Sequence, residues 1–124
     1  MNYGNIFELC DIVRETGFAA RKYLGAGHLE KIYENSLADR LRKQGLKVTQ
    51  QHPLSVFDED GTLLGDFYAD LFVEGCLIVE LKACRAIVPE HEAQMLGYLR
   101  AARIRDGLLM NFGGPKFWTK KYAM

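Results

Sequence analysis

The chain has 124 residues, of which 48% are hydrophobic and 26% are charged, and its 16 basic and 16 acidic residues give a formal net charge of zero. This length and composition predict one globular domain with a real core, and the balanced charge argues against a protein that coats nucleic acid non-specifically. No apolar run approaches the roughly 20 residues of a membrane span, and residues 1–15 lack a signal-peptide pattern. The three cysteines include no CxxC pair, which argues against a disulfide framework and a zinc site and favours a reducing, cytoplasmic location.

Two helices are predicted in the first third of the chain. Residues 5–24 and residues 28–44 each carry apolar side chains at helical spacing. Glycines at 25 and 27 interrupt the pattern between them, and Gly45 ends the second helix.

Three strands are predicted next, over residues 46–57, 63–73 and 77–82, because β-branched and aromatic residues dominate these segments and turn residues separate them. Pro53 indicates an edge position or a bulge in the first strand. In the second strand, simple alternation places one set of side chains on a single face: Phe67, Ala69, Leu71 and Val73. The opposite face is then expected to carry Tyr68, Asp70 and Phe72.

A helix over residues 89–103 and a strand over residues 108–112 follow, and the aromatic and basic tail after Pro115 can add a final edge strand. The order of elements predicts an α/β fold. Its mixed central sheet contains a three-strand meander, a crossover helix and a further strand, with helices on its faces.

Three ionisable residues interrupt the apolar second and third strands. Asp70 lies in the second strand, whereas Glu80 and Lys82 share one face of the third, roughly 6.5 Å apart. Buried charges are costly unless something binds them, and a divalent cation would hold both carboxylates in their charged form. The carboxylates meet only if the loop between the strands has three residues, 74–76, rather than two. We predict this register because Gly75 can adopt the positive φ that such a loop needs.

The polar residues that remain after the core is assigned are Glu30, Asp70, Glu80, Lys82, Gln94 and Tyr98. This set resembles the PD-(D/E)XK nuclease superfamily and, within it, the small GxxExxY family. The GxxExxY motif is present at residues 27–33, Asp70 with Glu80-Leu81-Lys82 matches the D…ExK signature, and residues 94–98 match the QxxxY motif of the RecB-like branch. The combination is far more specific than a lone ExK tripeptide. The resemblance covers roughly residues 6–112 and implies a restriction-endonuclease-like core in a single domain over residues 1–124.

The resemblance also implies a cofactor, Mg²⁺ or Mn²⁺. Asp70, Glu80 and the backbone carbonyl of Leu81 would hold the ion. Glu30 would add a carboxylate, directly or through water, from the helix above the sheet. The implied activity is hydrolysis of phosphodiester bonds in nucleic acid, with DNA as the expected substrate.

The remaining motif residues have implied roles around this ion. Lys82 would orient or deprotonate the attacking water and steady the charge on the phosphate. Three others would bind substrate or brace the site: Tyr33, Gln94 and Tyr98. Because 124 residues leave no room for a separate recognition domain, a homodimer or a protein partner is expected to supply specificity.

Several alternatives stay open at this stage. Asp70 and Glu80 could form ion pairs with Lys82 and Arg85 on a solvated sheet face, and the polar residues of the third helix could be ordinary surface positions. The chain could also be a non-catalytic nucleic-acid-binding or assembly module that keeps the fold, or an enzyme that acts on another phosphate ester. Basic and aromatic residues alternate in the tail, a composition that suits a single strand or a DNA end.

Overall fold

A five-stranded mixed sheet forms the centre of the protein, with helices on both faces, in a computed structural model that describes residues 4–124. The elements in chain order are α1 (Ile6–Leu24), α2 (Glu30–Lys43), β1 (Val48–Phe57), β2 (Leu63–Val73), β3 (Leu77–Lys82), α3 (Pro89–Ala102), β4 (Asp106–Asn111) and β5 (Trp118–Ala123). Within residues 4–124, no helix is long and apolar enough to cross a membrane.

The strand order in the sheet follows the chain, from β1 to β5. Neighbouring strands are antiparallel except β3 and β4, which are parallel and are joined by the crossover helix α3. The predicted α/β architecture is therefore confirmed, and the tail supplies the final edge strand. The predicted element limits shift by only a few residues: α2 begins at Glu30 because Leu29 is extended, and α3 ends before Arg103, which is left-handed.

Two apolar layers hold the helices to the sheet. On one face, Leu9 of α1 and Leu37 of α2 pack in a fully buried cluster with Leu71 of β2. On the other face, Met95 and Leu99 of α3 pack on a smaller cluster of sheet residues that includes Ile78 and Leu109. Strand β3 lies at the centre of the sheet, so its residues from Leu77 to Leu81 are all buried.

The pleat of β2 breaks at Asp70, and the predicted single face of Phe67, Ala69, Leu71 and Val73 is therefore wrong. Leu71 belongs to the cluster under α1 and α2, whereas Ala69 belongs to the cluster under α3. Opposite Asp70 in β1 lies Gln51, whose φ of 49° is left-handed, and this pair is missing from the ladder, which continues on either side of it. A left-handed residue rotates the backbone out of the extended pleat. The β1–β2 ribbon consequently exchanges its two faces at this point.

Candidate active site

The turn between β2 and β3 sets which residues meet across the two strands. Val73 pairs with Leu77 and Leu71 pairs with Val79, so residues 74–76 form the predicted three-residue loop. Gly75 in this loop has a φ of 66°, as the prediction required. The ladder ends at the Leu71 pair, and the next step in the same register places Asp70 opposite Glu80. The predicted register is confirmed.

Beyond that last pair, a side chain replaces the backbone in holding the two strands together. The N–H of Leu81 donates to Oδ2 of Asp70 at 2.8 Å. The carbonyl of Lys82 accepts from Phe112 in the β4 direction. Because successive residues of a strand direct their backbone groups to opposite sides, the Leu81 carbonyl is directed toward β2. A carboxylate and a main-chain carbonyl therefore meet in the gap where β2 and β3 part.

Glu80 is the most strongly perturbed acid of this gap. It is only 7% exposed, and burial, followed by the neighbouring Asp70, raises its pKa to about 9. Its Oε1 atom is buried and has no hydrogen-bond partner within residues 4–124. Buried polar atoms nearly always have a partner, so an orphaned carboxylate oxygen calls for a ligand. Two carboxyl groups side by side share a proton when no cation is bound.

Glu30 and Lys82 lie next to the two β-strand carboxylates. Glu30 is the first residue of α2. Burial and then the charge of Asp70 raise the pKa of Glu30, whereas Lys82 and a contact with the backbone of Ala83 oppose that rise. The Nζ atom of Lys82 lies 3.4 Å from Oε1 of Gln94. Within the part of the chain that the structure describes, Glu30, Asp70 and Glu80 form no ion pair with Lys82 or with any other base.

Helix α3 covers the gap with the two polar residues of the QxxxY motif. Gln94 contacts Lys82, as described above. One turn later, the ring of Tyr98 stacks on Phe67 of β2 with centroids 4.1 Å apart. Burial, then the charges of Glu80 and Asp70, raise the pKa of Tyr98. The structure therefore brings Gln94 and Tyr98 to the same place as the carboxylates.

Tyr33 is placed differently from the other motif residues. It is fully buried, its hydroxyl donates to the carbonyl of Gly25 at 2.6 Å and accepts from the N–H of His28, and its ring stacks on Phe112. These contacts fasten the loop between α1 and α2. Tyr33 therefore positions the start of α2, from which Glu30 projects.

Two residues that the sequence reasoning missed complete the support of Asp70. Nε2 of Gln51 donates to Oε1 of Glu34 at 2.8 Å and to Oδ1 of Asp70 at 3.2 Å. Glu34 is 4% exposed, and Lys31 and Gln50 also donate to it. Its spacing of four residues from Glu30 on α2 could have drawn attention to it. Nothing in the sequence marks Gln51, because its role depends on the break in the β1–β2 ribbon.

The donor atoms of this gap suit a hard divalent cation. Two carboxylates and one carbonyl converge, and oxygen ligands of this kind are those that Mg²⁺ and Mn²⁺ prefer. Within residues 4–124, no group of three His, Cys, Asp or Glu side chains is close enough to bind a metal together. The groups of this gap that could hold such an ion are Asp70, Glu80 and the Leu81 carbonyl, with Glu30 near them at the start of α2.

Comparison with known proteins gives one match. A family model described as the PD-(D/E)XK nuclease superfamily matches residues 8–121, from α1 into β5. No curated protein and no solved structure gives a significant match. The matched range contains every residue of the gap described above, and the resemblance to the narrower GxxExxY family stays a prediction.

Proposed function

Since the chain belongs to the PD-(D/E)XK nuclease superfamily, whose members are generally phosphodiester hydrolases, we propose that it is a Mg²⁺- or Mn²⁺-dependent nuclease that cuts DNA. The observation that carries the proposal is the buried Oε1 atom of Glu80, which has no hydrogen-bond partner within residues 4–124 and belongs to a side chain beside Asp70. A folded protein keeps such a costly arrangement when a bound cation offsets it.

The ion would be held by Asp70, Glu80 and the carbonyl of Leu81. When bound, it would polarise the scissile phosphate and lower the pKa of the attacking water. Glu80 is protonated near neutral pH in the free protein, because its pKa lies near 9, so it must release its proton to become a ligand. Asp70 is already held in place by Gln51 and by the N–H of Leu81.

The remaining side chains act on the water and the phosphate. Lys82 lies on the same face of β3 as Glu80, where its ammonium group would orient the water and stabilise charge on the phosphate. Gln94 holds that ammonium group through its side-chain oxygen. Tyr98, stacked on Phe67 beside the carboxylates, offers a hydroxyl to the substrate. Glu30 would bind a water molecule of the ion from the α2 side.

A second candidate function is a non-catalytic nucleic-acid-binding or assembly module. One observation favours it: within residues 4–124, no group of three or more His, Cys, Asp or Glu side chains is placed to hold a metal ion. Catalytic ions in phosphoryl transfer commonly retain several waters and few protein ligands. A site with few side-chain ligands is therefore also compatible with catalysis, and the cleavage assay below distinguishes the two functions.

The test is a Mn²⁺-dependent cleavage assay on single-stranded, duplex and branched DNA and on RNA, together with Mn²⁺ binding measured by calorimetry. We expect Asp70→Ala and Glu80→Ala to abolish both binding and cleavage while circular dichroism shows that the fold survives. Glu59→Ala, which removes an exposed carboxylate at the β1–β2 turn, is the matched control and should leave both unchanged. Mn²⁺ binding without cleavage of any substrate would favour the second function.

A further inference from the structure

A cavity of about 480 Å³ opens beside the candidate active site, at the ends of β4 and β5. Lys82 pairs with Asn111 of β4, and Asn111 pairs with Trp118 of β5. These three residues therefore form one row across the sheet, and Asn111 and Trp118 both line the cavity. With strands spaced about 4.8 Å apart, the row places Trp118 about 10 Å from Lys82.

Hydrogen bonds fix the two loops that form the walls of this cavity. The side chain of Asn111 accepts from the N–H groups of Cys84 and Gly113 and donates to the carbonyl of Cys84. A Cβ atom at Gly113 would lie 2.4 Å from the backbone of Ala83, so the two loops are in close contact. Arg21 of α1 donates to the carbonyls of Phe112 and Gly114. The cavity is consequently formed before any ligand arrives, as small-molecule sites generally are.

The lining of the cavity combines an aromatic wall with two cations. Trp118 and Ile87 pack partly against the core, leaving their outer surfaces to the cavity. Arg85 and Lys116 are exposed at its rim, and neither forms an ion pair within residues 4–124.

Among the described residues that line the cavity, one is an acid, Glu92, and its charge is offset by its neighbours. Glu92 accepts from the hydroxyl of Tyr122 and from Nζ of Lys120, and these bonds lower its pKa. The lysines of the tail differ in their contacts: Lys120 forms an ion pair with Glu92 and Lys121 forms one with Asp106, whereas Lys116 forms none within residues 4–124 and can contact an anion.

We propose that this cavity holds an unpaired nucleobase of the strand being cut, stacked on Trp118, with an adjoining phosphate between Arg85 and Lys116. Aromatic rings bind bases without regard to sequence, and basic side chains follow the backbone. The distance along the row from Lys82 corresponds to one or two nucleotides from the scissile phosphate. The inference rests on the proposed nuclease function and extends it: the substrate is a single-stranded region or a frayed end rather than an intact duplex.

Trp118 is the only tryptophan of the chain, so its fluorescence reports on the cavity directly. The full chain is titrated in EDTA, because a metal-dependent nuclease cannot cut there. Four ligands are compared: an oligothymidylate, the same strand carrying an abasic stretch, a blunt duplex and thymidine monophosphate. Affinity is measured in parallel by anisotropy of a labelled oligothymidylate. Cleavage in Mn²⁺ is measured separately on the same substrates.

We expect the oligothymidylate to quench Trp118 and the abasic strand and the blunt duplex to do so weakly. Trp118→Leu should weaken oligonucleotide binding roughly fivefold to a hundredfold. Arg85→Ala and Lys116→Ala, which are exposed substitutions that should not disturb folding, should each weaken it about tenfold. Arg100→Ala removes an exposed arginine from the far end of α3 and is the matched charge control, with affinity expected to stay within about twofold.

The outcomes separate this inference from the catalytic proposal. Binding that leaves Trp118 emission unchanged, or equal affinity for the intact and abasic strands, would overturn the base site even if cleavage proceeds. Equal quenching by thymidine monophosphate and the oligonucleotide at the same concentration would show a free-nucleotide site and would overturn its assignment to the cut strand. Quenching with the expected variant effects, but no cleavage by any metal, would support the base site while refuting the nuclease.

Discussion

Replacing Glu80 with glutamine should stabilise the metal-free protein while removing its capacity to bind Mn²⁺. The buried carboxyl group of Glu80 is protonated near neutral pH because burial and Asp70 raise its pKa to about 9 from the ordinary 4.5. In the unfolded chain the same group is ionised. A glutamine amide has the same shape, carries no proton to be taken up and can still donate to Asp70, so the variant avoids this difference between the two states.

The size of the effect follows from proton linkage. Between pH 4.5 and about 9 the folded state holds one proton more than the unfolded state, so the free energy of unfolding falls by up to about 1.4 kcal/mol for each pH unit as pH rises. Near pH 7 the accumulated cost is about 3 kcal/mol, and near pH 5 it is below about 1 kcal/mol. Above the folded pKa both states are ionised and the cost stays constant.

The assay is urea unfolding of the metal-free protein near pH 5 and near pH 8, with Glu59→Gln as the control for loss of an exposed carboxylate. We expect Glu80→Gln to gain stability over the wild type as pH rises, and the control to show no such trend. Mn²⁺ affinity of the wild type should increase over the same range, because the ion displaces a proton. If Glu80→Gln is no more stable than the wild type near pH 8, Glu80 is ionised in the folded protein and the reasoning is refuted.

Three further substitutions test the roles assigned by the structure. Lys82→Gln should lower the cleavage rate by about a hundredfold or more while keeping Mn²⁺ binding, as measured by calorimetry; a loss of binding instead would make Lys82 structural. Gln51→Ala should reduce Mn²⁺ affinity or cleavage about tenfold. The control Gln50→Ala loses a hydrogen bond to Glu34 but none to Asp70 and should change neither. Equal losses of affinity or cleavage in the two variants would contradict the role of Gln51 in positioning Asp70. Tyr33→Phe should lower the free energy of unfolding in urea by about 1–2 kcal/mol and leave cleavage intact, so lost cleavage at unchanged stability would show a substrate contact.

Much of the fold follows from local features of the sequence. Helical spacing in α1 and α2, and the β-formers of β3, are strong local patterns, so tertiary contacts had little to override. The predicted three-residue β2–β3 loop is present, and Gly75 has the positive φ expected of it, although Glu74 before it is left-handed as well. The faces of β2 could not be predicted in this way. The alternation of its side chains fails opposite the left-handed Gln51, and the local composition does not indicate that break.

The candidate site, like the fold, was predictable from the sequence only in part. The sequence by itself predicted the members of the candidate site, and the length of the β2–β3 loop predicted that Asp70 and Glu80 lie next to each other on neighbouring strands. Only the tertiary structure decided that Glu80 is desolvated, with one oxygen that has no partner among residues 4–124. It also decided that Gln51 bridges Glu34 to Asp70 and that Trp118 lies in line with Lys82. Burial and contacts between distant segments depend on how helices and loops pack around the sheet, and spacing along the chain carries no information about that packing.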